Sequence, residues 1–477
     1  MRNRLLLLGA ALAAFGISLF SGFHFDDYAI FSDPVLTSSS GWLGIWKLRP
    51  GALGAQPLTS LTFWLNYMAG GRDPLGYHLL NLALHLGAAL LAYECLRRLL
   101  PERAALAAAA VFALHPIQAE AVNYVWGRSV LLAALFCLAS LAAWLSGRRW
   151  MAVAWFAAAL LANEQCAAFA MIPWWTTRNR EGQPHGLFPC GAMSALAIAA
   201  LARAAYAASA IVPAVSPGKF FLAEGLVIWR YLRLLVIPYG FTVDPDMRVP
   251  AVWLGALAWL AILAAALWAW RARQRGWTAW ALAGLLLLLP SSSLLPAADF
   301  SADRRMYLPM FAFAAAAGLL LARVRTPALA ACAAAALTLL SVVRSAVWLS
   351  DRSLWQEAVS RAPQKVRPKI QLSRSLPAAQ ALQLLETAEN AAPHDPTIFA
   401  EMGKVLLAER QVEPALIQFG RALALDPGNA QCYNNRGVAL ALLGEYAMAR
   451  ADFRRALAID PALTETRENL QKLPPEQ

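Results

Sequence analysis

Two adjacent carboxylates, Asp26 and Asp27, follow directly on an apolar run from Leu5 to Phe20. Acidic groups where a membrane helix meets water are costly unless hydrated or paired, and they commonly mark function. They could take a proton from an acceptor hydroxyl, or simply solvate a helix end. Three further polar groupings interrupt the apolar sequence. The first runs from His115 through Glu120 to Arg128, the second is Asn163-Glu164-Gln165, and the third is Asp303-Arg304-Arg305 with Tyr307. A carboxylate beside arginines suits a lipid-phosphate donor, since guanidinium groups grip phosphate through paired hydrogen bonds. Each residue also has a plain structural reading. His115-Pro116 suits a helix end, Glu120 and Arg128 suit an ion pair, and Asp303-Arg304-Arg305 suits an ordinary loop. His78 and His85 share one helix face, where packing explains them as well as a metal would. No spacing fits a closed zinc site or a phosphate loop, so no metal site is expected.

The elements that would position these groups are membrane helices. Of 477 residues, 59% are hydrophobic and 15% charged, against roughly 45–50% and 25% in soluble domains. The net charge of +12 comes in short arginine clusters between apolar runs, which is the pattern of membrane orientation and excludes a nucleic-acid-reading face. The six cysteines form no CxxC pair, and five of them lie in or beside apolar runs. They read as small hydrophobes.

Arginine clusters fix the expected topology. The first run reads as an uncleaved helix, with basic Arg2 and Arg4 in the cytoplasm. Arg97-Arg98, Arg148-Arg149, Arg178 with Arg180, Arg271 to Arg275, and Arg323 with Arg325 mark the later cytoplasmic turns. To keep them there, the run from Trp150 to Trp175 must fold as two short helices with Glu164 at the bend. For the same reason Phe220–Pro238 must lie on the outer surface as an amphipathic helix. The expectation is eleven spans with the N-terminus inside and the C-terminus outside, which puts all four polar groupings on the outer face.

After Trp348 charges become frequent and a repeat of 34 residues appears: Gly403 and Gly437, Ala415 and Ala449, Phe419 and Phe453, Ala422 and Ala456, Pro427 and Pro461. This is the tetratricopeptide period and pattern. The chain is therefore expected to be all-α, with a polytopic membrane domain over 1–350. A short helical solenoid is expected over 351–477, with a degenerate first repeat and clear repeats at about 396–429 and 430–463. Such solenoids bind extended peptides in a concave groove. Here Asn434, Asn435 and Arg436 are the candidate acceptor-binding residues.

The chain resembles the transmembrane protein O-mannosyltransferases with tetratricopeptide repeats, including the cadherin-targeting group. The resemblance is carried by Phe25-Asp26-Asp27-Tyr28, Pro57 to Thr62 with Asn66-Tyr67, Gly76-Tyr77-His78 with Asn81 and His85, and Ala113 to Val122 with Gly127-Arg128. It continues through Asn163-Glu164, Tyr231-Leu232 with Pro238, and Asp303 to Pro309. It implies a GT-C glycosyltransferase fold and a polyprenyl-phosphate sugar as donor substrate, mannose first among the sugars. It also implies inverting transfer on the non-cytoplasmic face, with Asp26 and Asp27 at the acceptor. Arg304, Arg305 and Tyr307 fall to the donor phosphate. His115, Glu120, Arg128, Glu164 and Asp303 complete the candidate site. Asn163 departs from the family pattern, which has Lys there, and the repeat array is short. Partners would be the lipid bilayer, the lipid donor and a polypeptide acceptor with a Ser or Thr hydroxyl. A bacterial inner membrane with a periplasmic tail fits the short array and alanine-rich spans; a eukaryotic member would place the tail in the lumen of the endoplasmic reticulum. A repeat-bearing scaffold without catalysis, or an enzyme acting on a lipid or glycan, are the alternatives.

The topology has a direct test. With an odd number of spans, a cysteine at Arg273 and one in the tail at Cys432 react with a membrane-impermeant reagent from opposite sides. Reaction from the same side overturns the assignment.

Overall fold

The computed structural model describes residues 1–49, 52–177, 187–208, 215–292, 299–324 and 326–475. Arg178, Arg180 and Arg325, assigned above to cytoplasmic turns, lie outside these residues. Among the described residues every regular element is helical. The chain divides into two compact units, Met1–Ser350 and Asp351–Gln477.

Among the described residues of the first unit six helices are long and apolar enough to cross a membrane: Arg2–Phe20, Pro74–Leu99, Val125–Leu145, Leu187–Ala207, Val252–Arg271 and Ala328–Leu349. A seventh is added if Glu102–Leu114 and Pro116–Asn123, bent by 43°, count as one span. The protein is thus an integral membrane protein with six or seven candidate spans, fewer than the eleven expected. The difference lies in helix length. Arg149–Ala162, Trp277–Leu288 and Pro309–Leu321 have 14, 12 and 13 residues. At the helical rise each covers only about 20 Å, short of a hydrocarbon core of about 30 Å. The run from Trp150 does break at Asn163. The Asn163 side-chain oxygen accepts the Gln165 N–H at 2.9 Å, capping a 3-10 helix, Glu164–Ala170. The helix Pro217–Val236 buries one face, with Phe220, Ala223, Val227, Tyr231 and Leu234 at three- and four-residue spacing, the pattern of an amphipathic helix.

Small residues set how closely these helices pack. Glu102–Leu114 meets Pro309–Leu321 so tightly that a Cβ on Gly318 would lie 2.4 Å from the Ala104 carbonyl oxygen and 2.6 Å from the Ala108 Cβ. Lipid offers no hydrophobic drive for helix association, so close backbone approach must supply the contact energy. Polar links add to it. Ser341 Oγ donates to the Leu114 carbonyl at 2.7 Å, and Asn123 Nδ2 donates to Ser345 Oγ at 3.0 Å, holding the helix Pro327–Ala346.

The second unit is a series of helical hairpins. Pro396–Ala408 pairs with Val412–Leu425, and Ala430–Leu442 with Tyr446–Ile459. The repeat has a steric cause. A Cβ on Gly403 would sit 2.5 Å from the Phe419 ring, and one on Gly437 would sit 2.7 Å from the Phe453 ring. Each glycine is the floor on which the next helix's phenyl ring lies. A shorter pair, Val366–Ser373 and Ala378–Ala391, precedes them. Thr464–Lys472 starts 34 residues after Ala430 and so takes the place of a further first helix, which the sequence reading missed. Cys432 is buried, so the exposed Gln431 is the better labelling position in the tail.

Gly318→Val should lower stability by about 1–3 kcal/mol through overpacking, read as a lower melting temperature in detergent. Gly9→Ala, at a position with open space, should not. Equal melting temperatures for wild type and Gly318→Val would refute the close packing.

Candidate functional site

Asp26 and Asp27 lie on a short 3-10 turn, Phe25–Tyr28. The turn is entered at Phe25 with φ of 20°, a conformation that non-glycine residues rarely adopt. Backbone strain of this kind clusters at functional sites. The two carboxylates have different surroundings. Asp26 is exposed, whereas Asp27 is fully buried. Asp27 Oδ2 accepts the His24 N–H at 3.0 Å and Oδ1 accepts the Trp126 N–H at 2.7 Å. Burial raises its pKa from the ordinary 3.8 to about 7, against the opposing pull of those two N–H groups. The His24 ring donates from Nε2 to the Trp348 carbonyl at 2.6 Å.

The stretch from His115 to Arg128 packs against that turn. His115 uses both ring nitrogens on backbone: Nδ1 accepts the Ile117 N–H at 3.2 Å and Nε2 donates to the Leu235 carbonyl at 3.3 Å. Glu120 is buried. Its Oε2 accepts the Asp303 N–H at 2.8 Å and its Oε1 accepts from Arg304 Nη1 at 2.5 Å. Glu120 and Arg128 therefore do not form the ion pair that their nearness in sequence allowed. Arg128 instead donates to Asn81 Oδ1 at 2.8 Å, Asn66 Oδ1 at 2.6 Å and the Tyr77 carbonyl at 3.0 Å. Its guanidinium also lies 4.5 Å from the Phe63 ring centroid. A buried charge is tolerated here because neutral acceptors saturate it. Asn81 passes the restraint on, donating to the Tyr124 carbonyl at 3.1 Å.

The third grouping is clamped by the amphipathic helix. Arg230 donates to Asp303 Oδ1 at 2.6 Å, and the Tyr231 hydroxyl bonds both the carbonyl and the N–H of Ala302 at 2.9 Å. The two arginines then diverge. Arg305 is bound by Glu224 at 3.3 Å, the Asp299 carbonyl at 2.7 Å and the Phe300 carbonyl at 3.0 Å. Arg304 is 23% exposed and bonds only Glu120 among the described residues, leaving other N–H donors free. Burial alone would depress its pKa, but the Glu120 carboxylate outweighs this and holds it above the usual arginine range. Tyr307 lies inside the bundle. His85 Nε2 donates to the Ala113 carbonyl at 3.1 Å, so Nδ1 is the acceptor for the Tyr307 hydroxyl at 2.8 Å.

Arg304 has two neighbourhoods. Its guanidinium lies 5.5 Å from the centroid of the Tyr124 ring. It also lines a cleft with Asn163, Gln165, Arg305, Leu287 and Leu308. Glu164, adjoining the cleft residues in sequence, accepts from Gln56 Nε2 at 3.3 Å, and burial raises its pKa. In the tail, Asn434 Oδ1 accepts from Asn469 at 3.1 Å, Asn435 Oδ1 accepts from Gln431 at 3.4 Å, and Arg436 pairs with Asp452 at 2.7 and 2.8 Å. All three candidate acceptor-binding residues thus have partners within the tail. Among the described residues no group of three or more His, Cys, Asp or Glu is placed to hold a metal. Sequence reasoning missed Tyr124 and the clamping role of Arg230. Tyr124 could have been found from its place between Glu120 and Arg128, four residues from each.

The fold and site define an integral membrane protein carrying a tetratricopeptide region. The tetratricopeptide repeat model matches residues 430–463. Part of the chain is homologous to the TMTC protein O-mannosyl-transferases. Protein O-mannosyl-transferase Tmtc1 of Drosophila melanogaster is 40% identical over 159 residues, covering 30% of this chain and 18% of that protein. Human TMTC3 is 33% identical over 145 residues, 28% of this chain and 16% of that protein. Human TMTC4 is 34% identical over 162 residues, 29% of this chain and 22% of that protein. The matches thus span under a quarter of these relatives' length. A crystal structure of MamA matches 24% of this chain and 71% of its own at 16% identity, with a TM-score of 0.23, too low for any argument.

Asp27 sets a pH dependence of stability. In the fold it keeps its proton to about pH 7, and in the unfolded chain only to about pH 4. Its contribution is therefore complete below about pH 4 and lost as pH rises to 7, by up to about 1.4 kcal/mol per pH unit. Asp27→Asn cannot titrate. The melting temperature of the wild type should fall relative to that variant between pH 4 and 7 and run parallel above. A difference independent of pH would contradict the buried, proton-binding carboxyl.

Proposed function

We propose that this chain is a membrane glycosyltransferase with a GT-C-type domain. It moves a sugar, mannose as the names of its relatives suggest, from a polyprenyl-phosphate donor to a Ser or Thr hydroxyl of a polypeptide on the non-cytoplasmic face. The observation that carries this reading is the double position of Arg304. On one side it lines a narrow cleft where the polar Asn163 and Gln165 meet the apolar Leu287 and Leu308. On the other it lies over Tyr124, whose segment Asp27 ties to the turn bearing Asp26.

The roles follow from exposure and partners. Arg304 offers its free N–H donors to the phosphate, while Glu120 fixes its direction. Arg305 and Tyr307 hold the surrounding loop and helix, since their polar groups already have partners. Asp26, the exposed carboxylate, accepts the proton of the acceptor hydroxyl as its oxygen attacks the anomeric carbon from the face opposite the phosphate. The anomeric C–O bond breaks with both electrons going to the phosphate oxygen, so polyprenyl phosphate leaves and the anomeric centre inverts. Asp27 keeps the turn in place. The tail, on the same side if the spans are odd in number, presents the polypeptide.

Asp26→Asn should abolish sugar transfer from polyprenyl-phosphate sugars while the protein stays folded in detergent. Arg304→Ala should weaken donor binding by about 1.5–3 kcal/mol, the range for a hydrogen bond to a charged group. Full transfer by folded Asp26→Asn would remove Asp26 from the proton-accepting role, whereas a folded wild type that transfers no sugar would leave a scaffold as the better reading. Unchanged donor affinity in Arg304→Ala would remove the phosphate role.

A further inference from the structure

Tyr124 is fully buried, yet among the described residues its hydroxyl has no partner in hydrogen-bond geometry, although the Asp26 carboxylate lies near enough to act on it. Leaving a buried hydroxyl unpaired forfeits its hydration without replacement, so such a group calls for an explanation. Nothing about the ring is loose. It packs on Phe25 with centroids 4.6 Å apart and on Trp348 at 5.7 Å, and Arg304 covers it at 5.5 Å. The backbone is equally fixed, by Asn81 at the Tyr124 carbonyl and by Asp27 at the Trp126 N–H. A side chain held this firmly with an idle hydroxyl is placed for a partner that arrives later.

The neighbouring group free to move is Asp26. It follows Phe25, on which the Tyr124 ring lies, and its side chain is exposed. Both carboxylates of the turn, together with burial, keep the phenol protonated at any physiological pH, burial being the larger cause. It therefore keeps the proton that it can donate.

Resting on the glycosyltransferase reading above, we propose that Tyr124 is a positioning residue for Asp26. When the acceptor docks, the phenol donates to one Asp26 carboxylate oxygen and turns the other toward the acceptor hydroxyl. Rotation about the Asp26 side-chain bonds suffices, and the aromatic stack need not shift. The assignment explains why a costly unpaired hydroxyl persists where phenylalanine would fill the same space.

The test is Tyr124→Phe, which keeps the ring, the stack and the Arg304 contact. Transfer is measured in purified full-length protein with a polyprenyl-phosphate sugar and a Ser/Thr peptide. We expect kcat to fall about tenfold, as for the loss of one hydrogen bond to a charged group. KM for donor and peptide should be unchanged, and the melting temperature unchanged or higher, because the removed hydroxyl stabilises nothing in the resting fold. In an Asp26→Glu background, where the carboxylate is displaced, the same substitution should cost much less than tenfold. An unchanged kcat overturns the proposal, as does a fall in kcat matched by a lower melting temperature, which marks a structural role. If the wild type transfers no sugar from any polyprenyl-phosphate sugar, the glycosyltransferase reading falls and this one falls with it. Transfer by the wild type with full activity in Tyr124→Phe removes this one alone.

Discussion

The arrangement hangs on one carboxylate. Asp27, out of contact with water, accepts one N–H from its own turn and one from Trp126, 99 residues further on. The bond to Trp126 joins the turn after the first apolar helix to the segment that carries Glu120, Tyr124 and Arg128. An ionised carboxylate buried without such donors would be prohibitively costly. Here the two N–H groups meet both oxygens, and the pKa still rises because burial outweighs them. Everything proposed about Asp26 depends on this tie, because an exposed side chain on an untethered turn could not be held to the accuracy that proton transfer needs.

From Trp126 the restraint spreads through neutral groups. Arg128 is anchored by asparagines and a carbonyl, and Asn81 hands that anchorage to Tyr124. The acid–base pairs lie one step away, at Arg304 with Glu120, Arg230 with Asp303 and Arg305 with Glu224. Arg128 is the cation left to neutral acceptors, and within these three pairs the charges balance. In a low-dielectric interior that is the affordable arrangement, since unpaired buried charge is what costs most. A phosphate could then be recognised only by N–H donors left over from the pairs, and Arg304 is the arginine of the three that has both exposure and donors to spare.

What the sequence disclosed, and what it hid, divides along physical lines. The tetratricopeptide region was legible because its period has a local steric cause: Gly403 and Gly437 must be small under Phe419 and Phe453. Membrane character was legible from composition. The number of spans was not, because an apolar run does not reveal where a helix stops. The short helices Trp277–Leu288 and Pro309–Leu321 lie in runs that read as full crossings. The polar groupings of the site were visible as interruptions of apolar sequence, but their pairings were not. Glu120 reaches Arg304, 184 residues away, and leaves Arg128 to the asparagines. Adjacency misled in the same way at Asp26 and Asp27, since neighbours on a turn point to different surroundings and only the fold decides which is buried.

The tail shows the converse of the Tyr124 argument. Asn434, Asn435 and Arg436 look like free recognition groups in sequence, yet each has a partner within the repeats. A peptide would have to displace those bonds and would gain only the difference. The salt bridge of Arg436 with Asp452 uses two nitrogens and both carboxylate oxygens, so it resists such exchange more than the two neutral amide contacts at Asn435 do. Asn435, half-buried and held by two long bonds of 3.4 Å from Gln431 and Asn434, is the member of the three whose present partners a peptide backbone could replace at least cost. In the proposed function, contact between the tail and a polypeptide would accordingly centre on Asn435, with Arg436 and Asn434 keeping the repeats rigid beneath it.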